Sequence, residues 1–192
     1  MWTDALLSVG VGIGLAAAAG LRVFLPLLVL GIAARLDWIP LAGGFEWVSS
    51  PAAIAALACA TVLEIAAYYV PWIDNLLDLI AGPLAVAAGV FGTAAVITDL
   101  PPAVQWTTAI VAGGGTTAAI KGVMSIARLK STAFTGGLAN PVLSTLEWAG
   151  ALATSLLAVV LPALAIAVVA FFVVAALRVT KRRALRRSLP RE

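Results

Sequence analysis

Four ionisable residues interrupt the long apolar stretches of this 192-residue chain: Arg22, Glu64, Lys121 and Glu147. A charge at the centre of a lipid-embedded helix costs about 2.5–3.5 kcal/mol on insertion scales, so such a residue turns toward protein or trapped water and marks a place where ions, protons or polar solutes are handled. Glu64 is the strongest of the four, with apolar neighbours on both sides. Thr61, Glu64 and Tyr68 stand three and seven residues apart, which places them on one helical face. A carboxylate there has three uses: it binds a cation, relays a proton, or pairs with Lys121 or Arg22. Lys121 lines up with Thr117, Ser125 and Arg128, and Gly113-Gly-Gly115 just ahead of it allows close backbone approach. That stripe is expected to face the interior or a cavity and to attract an anionic group. The competing reading is plain pairing, in which the charges form internal salt bridges and carry no activity.

Asp74 and Asp78 are four residues apart and share a helical face in the step Pro71-Trp-Ile-Asp-Asn-Leu-Leu-Asp78. Membrane enzymes that transfer prenyl or phospho-alcohol groups hold divalent ions with paired acidic motifs of fixed spacing; here there is one pair, and its spacing fits neither type. Capping of the following helix by Asp74 or Asn75 is the simpler expectation. The chain has no histidine and one cysteine, Cys59, in an apolar run. The commonest metal ligand and general base are therefore missing, and an intrachain disulfide is excluded. No catalytic residue, metal site or cofactor is expected, and a lipid-processing enzyme is the least favoured of the functional readings.

The elements that must carry these residues follow from composition. Hydrophobic residues make up 62% of the chain and charged residues 11%, with a mean hydropathy of +1.09, against roughly 25% charged residues in soluble domains. The apolar runs match the ~20 residues that span a bilayer core. We expect an all-α polytopic membrane protein with one helical domain over residues 1–177 and a basic tail over 178–192. The first run, from about Ala5 to Ala34, is too long for one straight crossing, and a break is expected near Gly20. Pro51 starts a second helix to about Val70, Pro71 ends it, and a third runs from about Leu79 to Thr98. The fourth covers about Ala103 to Ala127, and a last apolar stretch reaches from Pro141 to Leu177. In that stretch either the first part is amphipathic or re-entrant, which we favour, or Pro162 turns a tight hairpin. The first choice gives five crossings with the N-terminus outside; six crossings is the alternative, since five leave Arg128 and Lys130 outside, against the charge rule.

A weak internal echo links Ile32-Ala-Ala-Arg35-Leu36 leading to Ser50-Pro51 with Ser125-Ile-Ala-Arg128-Leu129 leading to Asn140-Pro141. With five crossings the two copies run in opposite directions, the pattern of an inverted repeat. Small residues four apart, as in Gly10/Gly14, Ala16/Gly20, Ala85/Gly89 and Ala118/Gly122, favour close helix crossings and suggest a homodimer or larger assembly.

Charge is distributed unevenly. Residues 1–177 hold five Lys/Arg and eight Asp/Glu, whereas 178–192 hold seven basic residues and one acid. Arg178, Lys181, Arg182, Arg183, Arg186, Arg187 and Arg191 follow an apolar run, which places the C-terminus in the cytoplasm and favours contact with anionic lipid headgroups over nucleic acid. Asp4 and the lack of a basic leader make the N-terminus a first membrane helix in this reading, not a cleaved signal.

Gly20-Leu-Arg22-Val-Phe-Leu-Pro26, Glu64 ahead of Pro71 and Asp74, and Asn140-Pro141 followed by Ser144 and Glu147, together with the basic tail, resemble the bacterial membrane family known as domain of unknown function 4126. The family pattern often has an acidic-basic pair where this chain has Tyr68-Tyr69, and an acid where Trp148 stands here. The resemblance implies a helical bacterial membrane domain and brings no activity, substrate or cofactor. The candidate site is thus Arg22, Glu64, Tyr68, Lys121, Asn140, Ser144 and Glu147, with Asp74 and Asp78 as a weaker interfacial pair. Two functional expectations stand side by side: a small inner-membrane transporter or channel for an ion or solute, and a structural or accessory subunit of a membrane complex.

Overall fold

Helix α1 (Trp2–Leu21) is apolar all round, and a helix of that kind belongs in the interior of a bundle. It packs against α2 (Phe24–Arg35), α4 (Pro71–Val96), α6 (Gly115–Thr135) and α7 (Asn140–Val160), and Leu15, Ala16, Ala18 and Ala19 are almost wholly buried. The computed structural model describes residues 2–69, 71–162 and 164, with side chains at 5–69, 80–162 and 164. Among the described residues every regular element is helical and there is no strand. The short helix α3 (Pro51–Ala67) lies outermost, packed chiefly on α2. Helix α5 (Pro102–Thr108) passes into α6 through a π-helical turn, Ala109–Gly114, so that 102–135 is one continuous rod.

Local chemistry sets the boundaries. Ser50 accepts a hydrogen bond from the Ala53 amide at 3.2 Å, and Pro51 occupies the first helical position of α3, a place where proline's missing N–H costs nothing. Gly136 closes α6 with φ 63°, a left-handed conformation suited to glycine. Leu161 ends α7 with φ −137° and ψ 69°, because Pro162 disfavours the helical conformation in the residue before it.

The chain between α2 and α3 folds back over one end of the bundle. Ala42 donates its amide to Ala95 O at 2.8 Å, and Gln105 Nε2 donates to Ala94 O at 2.8 Å, which ties this segment and α5 to the end of α4. Phe45 packs edge-on to Phe91 at 5.1 Å and against Trp106 at 6.2 Å. Trp38 and Trp47 are exposed, and the Trp47 ring lies 5.9 Å from Phe91.

Helix crossings on α4 are close enough to need glycine. A Cβ on Gly89 would collide with Thr117 Oγ1 of α6, and one on Gly113 would collide with Thr93 Oγ1 of α4. The same hydroxyls knit the crossing together. Thr93 Oγ1 reaches Gly12 O at 3.0 Å and Gly89 O at 2.8 Å, and Thr117 Oγ1 reaches Ala16 O at 2.7 Å and Gly113 O at 3.0 Å.

Several expected boundaries move. The break in the first apolar run falls at Arg22-Val23, whereas Gly20 is helical and sits where a Cβ would lie 2.7 Å from Ile120 Cβ. Its role is close approach to α6. The polar step after Pro71 is helical too, because a proline that ends one helix also suits the first turn of the next. Gly113–Gly115 widen the helix into the π turn without interrupting it. The rod continues through Arg128 to Thr135, since Arg128 is buried and its charge does not end the helix. Helix α7 stops at Val160, so the last apolar stretch is interrupted at Leu161-Pro162. The rod Pro102–Thr135 and helix Asn140–Val160 are each long and apolar enough to cross a membrane.

Candidate functional site

The break between α1 and α2 exposes backbone amides at the start of α2, and a carboxylate from α3 takes them. Glu64 Oε1 accepts from the Val23 amide at 2.9 Å and Oε2 from the Phe24 amide at 3.1 Å. The first amides of a helix have no partner within it and carry the positive end of its dipole, so a buried anion is well placed there. Glu64 thus sets both oxygens on backbone amides, a cap delivered from a neighbouring helix. Thr61 shares the buried face with Glu64 and Tyr68, but its hydroxyl donates to Leu57 O within α3.

Arg22, the first residue of the break, is 2% exposed. Its Nη2 donates to Ser144 O at 3.0 Å and lies 3.1 Å from Glu147 Oε2. Glu147 also binds Arg128: Arg128 Nε donates to Glu147 Oε1 at 3.0 Å, Arg128 Nη2 pairs closely with Glu147 Oε2, and Arg128 Nη2 reaches Ser144 Oγ at 3.1 Å. One carboxylate on α7 therefore stands between guanidinium groups from the α1–α2 break and from α6. Tyr68, at the end of α3, places its ring 3.9 Å from the centre of the Arg22 guanidinium and 4.7 Å from that of Arg128. Cation–π attraction of this kind strengthens when desolvated.

Helix registry explains the convergence. Ser144 is one turn into α7 and Glu147 stands three residues further on the same face. Lys121 and Arg128 are seven apart on α6, and both are buried; Ser125, expected in the same stripe, is exposed because the register drifts away from that face by position 125. Asn140 sits at the start of α7 and donates through Nδ2 to Thr132 Oγ1 at 3.3 Å. Asp74 and Asp78 belong to the first turns of α4, and their side chains lie outside the described residues, as does the tail 178–192.

Arg128 has two places in the sequence, in the interior-facing stripe with Lys121 and at the end of its helix; it is buried, as the stripe predicts, although the candidate site drawn from the sequence omits it. The second omission is backbone: the Val23 and Phe24 amides make Glu64 a cap, and their availability follows only from where the helix breaks.

Fold and junction together define an apolar helical bundle with membrane-length helices, closed around a buried arginine–glutamate cluster beside a broken helix. The chain belongs to the family described as Domain of unknown function (DUF4126), which it matches over residues 9–182. No curated protein and no solved structure matches it.

Proposed function

We propose that this chain is a multi-pass protein of the bacterial inner membrane that carries an ion or small solute through the junction between α1, α3, α6 and α7. One observation supports this above the others: α1 and α2 form a discontinuous helix whose break lies beside buried charges. Transporters build their sites at such breaks, where helix termini and freed backbone groups face the solute. Glu64 holds the break from a separate, peripheral helix, so any movement of α3 relative to α2 changes the site directly. The topology that accompanies this reading has five crossings and a cytoplasmic C-terminus. The test is flux: purified protein in proteoliposomes moves at least one ion or solute faster than empty vesicles, and folded Glu64→Gln alters that rate. Equal flux in protein-containing and protein-free vesicles across inorganic ions and small organic acids and amines overturns the reading.

A second reading, a structural or accessory subunit, has its own support in the way Glu147 ties α1, α6 and α7 together through Arg22 and Arg128. Copurification of one stoichiometric membrane partner, with no flux, is the outcome that favours it.

A further inference from the structure

We propose that the junction holds an acceptor-only anionic group, such as a halide or a carboxylate, on the inner side of Arg22. This names the ligand class for the site described above and rests on reading that junction as a ligand site. Arg22 Nε and Nη1 are buried, in a residue only 2% exposed, and have no hydrogen-bond partner among the described residues. Buried donors are otherwise nearly always satisfied, and leaving a charged one bare is among the costlier defects a fold can hold. The Tyr68 ring attracts the guanidinium charge but accepts none of its in-plane hydrogen bonds in the usual sense.

The described carboxylates at the junction do not serve these two nitrogens. Glu147 meets Arg22 only at Nη2, through the same Oε2 that takes Arg128 Nη2. Glu64, the other described buried carboxylate at the junction, has each oxygen on a backbone amide. Arg22 immediately precedes the N-terminal end of α2, whose dipole adds positive potential. A guanidinium offers five N–H donors and no acceptor, so the complement of its unused edges is a group that only accepts. Charge-assisted bonds from guanidinium to an anion are about twice as strong as neutral ones, which favours an anion over water in a dry setting.

The test measures binding at equilibrium, separately from transport. Protein in nanodiscs of zwitterionic lipid is titrated with chloride, acetate and inorganic phosphate, each replacing a bulky sulfonate at constant ionic strength. The readouts are the thermal unfolding midpoint and the nitrogen-15 resonance of the buried arginine Nε–H. We expect a saturable rise in the midpoint and a matching shift of that resonance. Arg22→Lys, which keeps the charge but loses the fork, is expected to bind about tenfold more weakly, and Arg35→Gln, on the exposed end of α2, to bind as wild type.

A parallel set of nanodiscs containing anionic lipid separates the sources of the group. Protection by the lipid without response to free ions assigns the site to a headgroup; response to free ions in zwitterionic lipid assigns it to a soluble anion. If Arg22→Lys fails to fold, the wild-type Nε–H resonance still decides. No shift and no midpoint change with any anion or lipid overturns the proposal and leaves the donors to water. Equal anion dependence in wild type and folded Arg22→Lys overturns it as well. Anion binding without flux leaves this inference standing and defeats transport; flux of a cation or neutral solute without anion binding does the reverse.

Discussion

Glu64 is the residue on which the local geometry turns, because it converts two exposed amides into the capped start of α2. Glu64→Gln keeps the shape but loses the charge and offers one acceptor oxygen in place of two. Thermal unfolding in detergent is expected to show a loss of about 1–3 kcal/mol, the value of hydrogen bonds made by a buried ionised group. Glu147 is held differently, between two guanidinium groups. Glu147→Ala strips a buried ion pair of its anion and is expected to cost about 3–5 kcal/mol. Combining it with Arg128→Met should cost less than the two single changes added together, since the residues share one network; strict additivity in the same unfolding assay contradicts the observed pairing. At this scale the sequence was informative about residue type and reticent about partner. Arg22, Glu64, Lys121 and Glu147 stand out as charges in apolar surroundings and all four are buried. Which cation meets which carboxylate depends on interhelical register, which no local spacing encodes.

Elements were legible where a residue acts within its own turn. Pro51 beginning α3 is visible from composition alone, since a proline needs only its neighbours to act. The extents of α4 and α6 were not, because a proline that stops one helix also starts the next and a charge is no helix breaker. Arg128 meets a carboxylate, and the helix runs past it. The internal echo shows the same limit. Arg35 is exposed and donates to Ser49 O at 3.3 Å, whereas Arg128 is buried against Glu147, so similar words in the sequence have different chemical roles. Small-residue patterns divide likewise. Gly89 is in contact where α4 crosses α6, while Gly122 has open space around its α-carbon. Gly89→Ala is therefore expected to destabilise by about 1–3 kcal/mol through overpacking, and Gly122→Ala to change stability by less than about 1 kcal/mol. Similar effects for the two substitutions in thermal unfolding contradict the close crossing.

Across the described residues, many large apolar side chains are left outside. Val62 and Leu63 on α3, Ile126, Leu129 and Phe134 on α6, and Val142 and Leu146 on α7 are all strongly exposed. A soluble monomer rarely shows contiguous apolar surface on this scale, and lipid is the medium that fits it. Cys59 provides a native probe of that surface, since it is exposed on α3 beside Ala58, Val62 and Leu63. A spin label attached there in detergent and carried into bilayers is expected to relax with dissolved oxygen and to be shielded from a polar nickel complex; the opposite ranking places α3 in water. Burial of Arg128 also bears on orientation. A cation held in an internal ion pair is not a loop charge, so in the topology proposed above, with five crossings, Lys130 alone among the basic residues of that connection runs against the charge rule.

The widened turn at Ala109–Gly114 is a store of slack in the long rod. A π turn holds one residue more than an α turn and takes it up within its own width, so the α-helical segments on either side keep a common phase. Deleting Ala112 is therefore expected to close the turn to ordinary pitch and to leave Lys121 and Arg128 on their buried face, whereas the same deletion in a rod of plain α-helix would turn everything beyond it by about 100°. The turn works as a washer: one residue can be drawn out of it while a guanidinium several turns away stays engaged.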